Sequence, residues 1–356
     1  MMAKAAKKAT AKKAAVKKVA VKKSAPKRTA ANKVGAKKSA PSKKALPLLD
    51  LEAADEQTMV LNGHELKLTN LSKPYWKKEG FTKGDLLNYY LQVMPFIMPY
   101  MLDRPQSLNR HPNGIEGPNF FQKDVEGKVP GWMQTHRDFS ESTNEDVNYL
   151  VCSNEATLLY MANLGCIEMH PWHSRSQSWQ YPDWCLIDLD PDKGNTFEQV
   201  MDVAKLVKRI LDAMGADAYC KTSGSTGIHI YIPLGAKYTF EQSKQLAELV
   251  VTLVNRELPD LTSIERSPSK RKGLIYLDYL QNRETQTAAA PYSLRPKPGV
   301  PVSTPLHWEE LKKGLSPKTW HARNIFDRLK VEGDLFKPVL GKGIDLVNVL
   351  EKMERL

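Results

Sequence analysis

Residues 184–191 read WCLIDLDP, an apolar run that ends in two aspartates one residue apart. Side chains at positions i and i+2 of a β-strand point to the same face, so Asp188 and Asp190 share a face at the strand's end. Neighbouring carboxylates repel each other unless a cation neutralises them. The stretch therefore predicts a buried strand that presents an acid pair to a divalent metal; the alternative is a strand end whose acids face solvent.

Helix and strand patterns continue on both sides of this strand. The stretch 60–69 predicts a hairpin that turns at Asn62-Gly63, and strand-like segments are expected around Leu108 and Trp132. The other predicted strands are 217–222, 228–234 and 274–280. The predicted helices are 83–101, 154–164, 196–214, 239–256, 307–314, 318–330 and 344–355. This arrangement indicates a mixed α+β fold.

A glycine-rich loop connects two of the predicted strands, in the segment KTSGSTGIHIYIP at 221–233. Glycines and hydroxyl side chains in a short loop expose backbone N–H groups, which suit phosphate oxygens. Ser223 lies in this loop, and His229 opens the following strand, where it can donate a hydrogen bond to a phosphate. The alternative is a plain glycine turn followed by a half-buried histidine.

A third carboxylate, Asp278, interrupts the apolar segment LIYLDYL at 274–280. A lone acid inside an apolar strand is costly unless it is paired or binds a metal. Asp278 is therefore a candidate to complete a three-carboxylate set with Asp188 and Asp190. The alternative is an edge strand in which Asp278 faces water.

Two further segments combine cations with aromatic rings or prolines. The segment NFFQK contains Phe120 and Phe121, and adjacent aromatic rings beside polar residues can stack on exposed bases. The segment YSLRPKP presents Arg295 and Lys297 on a proline-stiffened loop that suits a triphosphate. The alternatives are a phenylalanine that belongs to the core and a solvated surface loop.

The net charge of +12 is distributed unevenly along the chain. Residues 1–46 contain 15 Lys and Arg28 but no acid, whereas the rest of the chain has 36 basic and 40 acidic residues. Like-charge repulsion and the lack of large apolar residues predict a disordered tail over residues 1–47. Such a tail would bind DNA phosphates without sequence preference; the alternative is a solubilising leader.

The composition argues against several classes of protein. No apolar run reaches the roughly 20 residues of a membrane span, and the N-terminal sequence lacks the apolar centre of a secretory signal. The four cysteines show neither zinc-ligand nor C-x-x-C spacing. We therefore expect no membrane association, and free thiols in a reduced cytoplasmic compartment.

Taken in order along the chain, these segments resemble the primase-polymerase domain of bacterial ligase D. The resemblance extends from about Leu61 to Leu329 and is specific, because several long blocks occur in the order typical of that family. The upstream blocks are LTNLSK, FTKGD, RPQSLNRHPNG, FFQKD and EMHPWHSR. The downstream blocks are DLDP, SGSTGIHIYIPL, LDYLQN and TAAAPYSLRPKPGVPVSTPLHWEEL.

The resemblance implies a fold of the archaeo-eukaryotic primase type, with an RRM-like catalytic core and an N-terminal α/β subdomain. On this basis residues 1–47 are the basic tail, 48–335 form the polymerase domain and 336–356 form a C-terminal helical extension. The sequence contains no K-x-D-G motif of the kind found in nucleotidyl-lysine ligases. We therefore expect a stand-alone polymerase unit, or one gene of a split system.

The resemblance also implies roles for individual residues. The catalytic acids that would hold two Mn²⁺ or Mg²⁺ ions are Asp188, Asp190 and Asp278. The residues that would bind the nucleotide are Ser223, His229, Arg295, Lys297, Arg271 and, in the EMHPW block, His170. The residues that would bind DNA are Asn70, Lys73 and Lys83, at the 5′-phosphate of a break, and Phe120 and Phe121, stacked on the template.

Two positions depart from the family pattern. Thr226 stands in the glycine loop where the family often has lysine, and Asn109 stands where a lysine is common before Arg110. We expect both changes to lower nucleotide affinity without abolishing the chemistry.

The activity implied by the resemblance is template-directed nucleotidyl transfer, in which NTPs or dNTPs are added to 3′ ends at DNA breaks during bacterial non-homologous end joining. The implied partners are double-stranded DNA ends with a 5′-phosphate, nucleoside triphosphates, Ku and a separate DNA ligase, in a cytoplasmic, nucleoid-associated location. Two alternatives stay open: a non-catalytic, histone-like DNA-binding protein, and a metal-dependent phosphohydrolase or nuclease that uses the same acids.

Overall fold

The computed structural model describes residues 46–140 and 144–354, without the side chain of Ser140. These residues belong to one compact unit that spans 45–356. The predicted disordered tail, residues 1–47, lies outside the described residues except for its last two positions. No helix in the described ranges is long and apolar enough to cross a membrane.

The described chain is built from helices and short strands, which confirms the mixed α+β class. The helices are α1 (Lys83–Met101), α2 (Glu155–Asn163), α3 (Phe197–Met214), α4 (Phe240–Glu257), α5 (Ile325–Glu332) and α6 (Leu346–Met353). The strands are β1 (Gln57–Leu61), β2 (His64–Leu68), β3 (Pro74–Trp76), β4 (Phe81–Thr82), β5 (Arg104–Pro105), β6 (Leu108–Arg110), β7 (Phe120–Gln122), β8 (Thr135–Ser140), β9 (Glu145–Cys152), β10 (Trp184–Asp190), β11 (Tyr219–Thr222), β12 (Ile228–Pro233), β13 (Thr262–Ser263), β14 (Ile275–Asp278) and β15 (Pro305–Leu306).

The largest sheet among the described residues has six strands in the order β13-β14-β10-β12-β11-β15. Its pairs are antiparallel except for the parallel pair of β13 and β14. The N-terminal half contributes smaller sheets, among them the β6–β7 hairpin and the three-stranded β5-β9-β8. The strand that carries the acid pair, β10, therefore lies inside the sheet, between β12 and β14.

The central sheet separates two hydrophobic cores. Cys185, Ile187 and Leu189 pack with α3 and α4 in one core. Trp184 and Leu186, which alternate with them, join the core built around α1 and α2. Because side chains alternate along a strand, the acids that follow Leu186 emerge on the face turned away from α3 and α4.

Local signals placed most element boundaries correctly. The β1–β2 hairpin turns at Asn62 and Gly63, both with positive φ (50° and 79°), as its two-residue turn requires. Helices α1, α3 and α4 each begin one residue after a threonine whose side chain accepts the backbone N–H three positions on. The side chain at that third position in turn accepts the backbone N–H of the threonine, so these sequences fix the residue at which each helix begins.

Three predictions from the sequence were wrong in detail. Trp132 is not in a strand, because Pro130 and Gly131 turn the chain there and β8 begins only at Thr135. The predicted helix 307–314 is a single 3₁₀ turn, Trp308–Glu310. The predicted helix 318–330 begins only at Ile325, because the backbone at 320–322 pairs with 300–302 instead.

The connection to the C-terminal segment depends on one carboxylate, Asp334. It accepts hydrogen bonds from the buried hydroxyls of Tyr100 (2.9 Å) and Tyr292 (2.7 Å) and from the backbone N–H of Phe336 (3.0 Å). Burial, followed by the nearby Asp334, raises the pKa of both tyrosines, so their hydroxyls remain proton donors at neutral pH. Asp334 therefore links α1, the loop at 292 and the C-terminal segment.

Asp334→Ala should destabilise the fold by about 2–4 kcal/mol, since it leaves buried donors without an acceptor. The measurement is urea unfolding, with the slope compared to confirm that the same surface is exposed. Asp327→Ala is the matched control, because Asp327 is an exposed acid that pairs with Lys330 at the surface. Equal midpoints for both variants would contradict the assigned role of Asp334.

Candidate active site

Four polar side chains form a row across the sheet. Asp188 in β10 lies directly opposite Asp278 in β14 and directly opposite His229 in β12, and His229 lies opposite Lys221 in β11. Directly opposite residues point to the same face of a sheet. The row therefore reads acid, acid, imidazole and amine over four adjacent strands, and Asp190 lies two residues along β10 on the same face.

The carboxylates affect one another's ionisation. Burial, Asp190 and Asp278 raise the pKa of Asp188 from 3.8 to about 8. Burial also raises the pKa of Asp190, although the neighbouring Arg271 acts in the opposite direction. Like charges held close together are stabilised by a cation, so this set of oxygen donors suits a divalent metal.

The acids are close enough to raise one another's pKa, but their oxygens do not converge on one point. Within residues 46–140 and 144–354, no three Asp, Glu, His or Cys side chains already converge closely enough to hold a metal ion. Asp278 accepts hydrogen bonds from Tyr276, the backbone N–H of Leu280 and Gln281 at 2.9–3.2 Å. Asp190 approaches Arg271 at 4.0 Å. Side-chain rotations at Asp190 and Asp278 are therefore needed before the three acids can share an ion.

His229 is held between an acid and a buried amine. Its Nε2 lies 3.4 Å from Asp188 Oδ1, and its Nδ1 lies 2.8 Å from Lys221 Nζ. Burial and the nearby Lys221 lower the pKa of His229 well below its ordinary value, so the imidazole is neutral at pH 7. Lys221 also contacts the Ala289 carbonyl (2.9 Å) and Ser303 Oγ (2.5 Å). The sequence contained Lys221 beside the glycine loop, but only strand register reveals its place in the row.

The glycine loop folds over the end of β10. Ser223 Oγ accepts the backbone N–H groups of Ser225 (3.1 Å) and Gly227 (3.0 Å), which closes the loop. A Cβ at Gly227 would overlap the Leu189 carbonyl oxygen, so only glycine allows this approach. The loop therefore lies against the strand that carries the acids, and Thr226 is exposed at its tip.

Of the predicted nucleotide-binding residues outside the row and the glycine loop, three have contacts near the site and one does not. Arg295 donates to the Ser223 carbonyl oxygen, and its Nε donates to Glu168. His170 Nε2 lies 3.0 Å from the same glutamate. Arg271 stacks over the Tyr276 ring at 3.7 Å, beside Asp190. Lys297, in contrast, is exposed on the loop after Arg295 and has no described contact to the row.

Phe120 and Phe121 are exposed on the β6–β7 hairpin, at 47% and 57% of their full surface. Arg110 lies over the Phe120 ring at 5.3 Å, and Phe121 meets the His170 ring edge-on at 6.1 Å. A cleft of about 460 Å³ opens here, lined by Arg110, Phe120, Phe121, Gln122, Lys123, Asp124 and Lys128. Exposed rings beside cations suit an unpaired base.

Asn70, Lys73 and Lys83 come together at the start of α1, where the Lys83 backbone N–H donates to the Lys73 carbonyl at 2.8 Å. Lys83 Nζ donates to the Thr69 carbonyl (2.7 Å), and Lys73 N donates to the Asn70 carbonyl (3.1 Å). Burial, then the charge of Lys73, lowers the pKa of Lys83 to about 8. An anion bound here would relieve that repulsion.

Asn109 is enclosed by other polar side chains. It is buried, donates to Glu168 (2.8 Å) and accepts from Asn119 (2.9 Å). Glu168 was not predicted from the sequence. It lies two residues before His170 in EMHPW, but no pattern in the sequence marked it as a buried side chain.

The family of this chain is shown by comparison with known proteins. The family model described as "LigD, primase-polymerase domain" matches residues 82–336, which include every acid of the row. The chain belongs to this LigD primase-polymerase family. Among the family's curated members, the bifunctional non-homologous end joining protein LigD of Bacillus subtilis (strain 168) is 32% identical over 270 residues, 76% of this chain and 43% of that protein.

A second LigD relative, the multifunctional non-homologous end joining protein of Mycolicibacterium smegmatis, is 29% identical over 283 residues, 77% of this chain and 36% of that protein. The chain thus spans less than half the length of these LigD proteins. Among solved structures, the polymerase domain of Mycobacterium tuberculosis ligase D in complex with DNA matches with a TM-score of 0.72 and 26% identity. That match covers 78% of this chain and 99% of the other, so the LigD polymerase fold is present here.

Proposed function

We propose that this LigD-family domain is a template-directed nucleotidyltransferase that adds NTPs or dNTPs to 3′ ends at DNA breaks in bacterial non-homologous end joining. The observation that carries the proposal is the row of Asp278, Asp188 and His229 beside a glycine loop. The acids offer metal-binding oxygens, and the loop and the histidine offer donors to phosphates, in adjacent strands.

Asp188, Asp190 and Asp278 would hold two Mg²⁺ or Mn²⁺ ions, because hard oxygen ligands are the ones that these ions prefer. Bound there, the ions would lower the pKa of the attacking hydroxyl and neutralise charge on the triphosphate. The raised pKa of Asp188 and Asp190 supports this assignment, since both carboxylates gain from a neighbouring cation.

The reaction is attack of a primer 3′-oxygen on the α-phosphorus of the nucleotide. One phosphorus–oxygen bond forms, the bond from the α-phosphorus to the oxygen that bridges to the β-phosphate breaks, pyrophosphate leaves, and the hydroxyl proton passes to water. We assign the triphosphate contacts to Ser223, His229, Arg295 and Lys297. His229 would donate from Nε2, Arg295 would add a fork of charged donors, and His170 and Arg271 would flank the site.

We further propose that the domain acts on double-stranded DNA ends. The stacking pair Phe120 and Phe121 would receive a template base, and Asn70, Lys73 and Lys83 would bind the 5′-phosphate. The tuberculosis polymerase domain was solved in complex with DNA. Ku and a separate DNA ligase would be the protein partners, and DNA binding would place the protein in the cytoplasm, at the nucleoid.

The division into a tail (1–47), a polymerase domain (48–335) and an extension (336–356) is also proposed. Phe336 packs edge-on against Tyr231 of β12 at 5.0 Å, and Leu346 and Val349 of α6 join the core beneath α3. Phe336 lies on the face of the sheet that carries Asp188, and α6 lies on the opposite face. The extension would therefore support both faces of the sheet rather than act on substrate.

Primer extension tests the function. The substrate is a duplex with a recessed 3′ end and a 5′-phosphate, offered with Mn²⁺ or Mg²⁺ and with each NTP or dNTP. We expect metal-dependent addition of the nucleotide complementary to the template. Shortening of the DNA in place of extension would favour a nuclease, and binding without either product would favour an architectural protein.

Lys83→Met should lower affinity for a duplex with a recessed 5′-phosphate about tenfold, since a hydrogen bond to a charged group contributes roughly 1.5–3 kcal/mol. Methionine keeps the volume of the buried stem. The comparison is a binding titration with the same duplex carrying a 5′-hydroxyl, which should lose little affinity. Lys77→Met is the control, because Lys77 pairs with Glu116 at the surface. Equal losses on both duplexes would make Lys83 a general backbone contact.

A further inference from the structure

Glu168 is a buried acid outside the row of Asp188 and Asp278. It lies between α2 and β10, and only 6% of its surface is exposed. A buried carboxylate is costly unless charged partners compensate it. We propose that Glu168 is a positioning residue that orients the triphosphate-binding arginine and the active-site histidine, an inference that rests on the proposed nucleotidyl transfer.

Each oxygen of Glu168 is used. Oε2 accepts from Arg295 Nε at 2.7 Å, while Oε1 accepts from Asn109 Nδ2 at 2.8 Å and lies 3.0 Å from His170 Nε2. Burial alone would raise the pKa of Glu168, but His170, Arg295 and Asn109 together lower it well below its ordinary value. Glu168 is therefore a fixed negative charge throughout the working pH range.

This charge sets the plane of the Arg295 guanidinium. The side chain is held at two points, by Glu168 at Nε and by the Ser223 carbonyl oxygen at Nη1. A guanidinium has five N–H donors in a rigid fork, so fixing Nε and one Nη1 hydrogen fixes the direction of the others. Arg295 is thereby attached to the glycine loop before any nucleotide arrives.

The same acid fixes His170 and the template hairpin. Nε2 of His170 lies 3.0 Å from Glu168 Oε1, so the carboxylate holds the ring beside it. Asn109, the third partner, lies in β6 opposite Phe121 in β7. Glu168 therefore connects three parts of the site: the triphosphate cation, the histidine and the hairpin with the exposed phenylalanines. Preorganised donors of this kind need no rearrangement during reaction.

Glu168→Gln tests the proposal, because it removes the charge and keeps the shape. We expect the KM for ATP with Mn²⁺, and its dissociation constant by calorimetry, to rise about tenfold. A thermal melt checks the fold, and Glu168→Asp serves if the glutamine variant does not fold. Glu116→Gln, a surface acid paired with Lys77, is the control and should match the wild type.

A double-mutant cycle separates positioning from general stability. If Glu168 acts through Arg295, Glu168→Gln should add less than about twofold to the loss in ATP affinity already caused by Arg295→Met. Asn109→Asp combined with Glu168→Gln moves the negative charge from residue 168 to its hydrogen-bond partner at 109. This double variant should recover part of the ATP affinity. Independent, multiplied losses without rescue would overturn the proposal.

The readouts also separate this inference from the proposed function. Wild-type protein that binds ATP but never extends a primer would refute nucleotidyl transfer, while weaker ATP binding by Glu168→Gln would still support the positioning role. Wild-type protein that extends primers, with unchanged ATP affinity in Glu168→Gln, would refute the positioning role alone.

Discussion

Asp188→Asn is expected to reduce nucleotide addition at least about a thousandfold, because several kcal/mol of transition-state charge stabilisation are assigned to the metals at this acid. The fold should persist, since an asparagine side chain keeps the shape of aspartate and leaves the strand pairing intact. The measurement is single-turnover primer extension with saturating Mn²⁺. Asp192→Asn is the matched control, because Asp192 is an exposed acid two residues beyond the pair. Full activity in Asp188→Asn would remove this acid from the mechanism.

The same variant should be more stable than the wild type in metal-free buffer above pH 4. The folded-state pKa of Asp188, about 8, lies above its ordinary value of 3.8. Ionisation therefore opposes folding, by an amount that is absent below pH 4, grows as the pH rises and is complete above pH 8. Melting temperatures at pH 5, 6.5 and 8 should show a widening advantage for the variant. Added Mn²⁺ should stabilise only the wild type, and parallel curves would contradict the repulsion.

Deleting residues 1–46 should weaken binding to long duplexes strongly and leave catalysis on a short end unchanged. The segment contains 15 Lys and Arg28 and no acid. If about eight of these cations meet phosphates, the slope of log affinity against log salt should be roughly −7. Such a slope corresponds to a loss of about 10³–10⁵ in affinity between 50 and 200 mM salt, and the truncated protein should lose much less.

The measurement is a DNA-binding titration at several salt concentrations, full length against truncated. The control for length is a full-length variant in which glutamine replaces the tail lysines, which removes their charge and keeps the segment. Addition to a saturating, short, 5′-phosphorylated duplex should proceed at a similar rate, because every proposed catalytic residue lies beyond Leu61. An unchanged salt slope would favour a protein partner or a targeting role for the segment.

Local sequence signals predicted much of the fold. The apolar spacing of α1 and α3 repeats within a few residues, so it can be recognised without tertiary information. The segment 318–330 also has helical spacing, but its first residues form backbone hydrogen bonds with 300–302. That competition depends on how distant parts of the chain pack, so spacing alone could not show where α5 begins.

The candidate site also contains residues that local sequence patterns indicated and residues that only the tertiary structure brought together. Asp188 and Asp190 were marked by strand alternation, and Asp278 by its isolation in an apolar segment. Lys221 and Glu168 carried no such signal, because their neighbours in the site are far away along the chain or lie across a strand pair. Lys221 becomes part of the row through the β11–β12 register, and Glu168 becomes important through Arg295, which lies 127 positions later in the chain.

The pairing of β14 with β10 has a consequence for folding. The two strands align over only three residue pairs, and Asp278 sits opposite Asp188 in the first of them. A slip by one residue would turn every side chain of β14 to the other face. Asp278 would then point into the apolar layer formed with α3 and α4, where an unpaired acid is strongly disfavoured. Asp278, which is proposed to bind metal, therefore also disfavours a shifted pairing of the short strand β14. Asp278→Leu would remove this penalty on the shifted pairing as well as the activity.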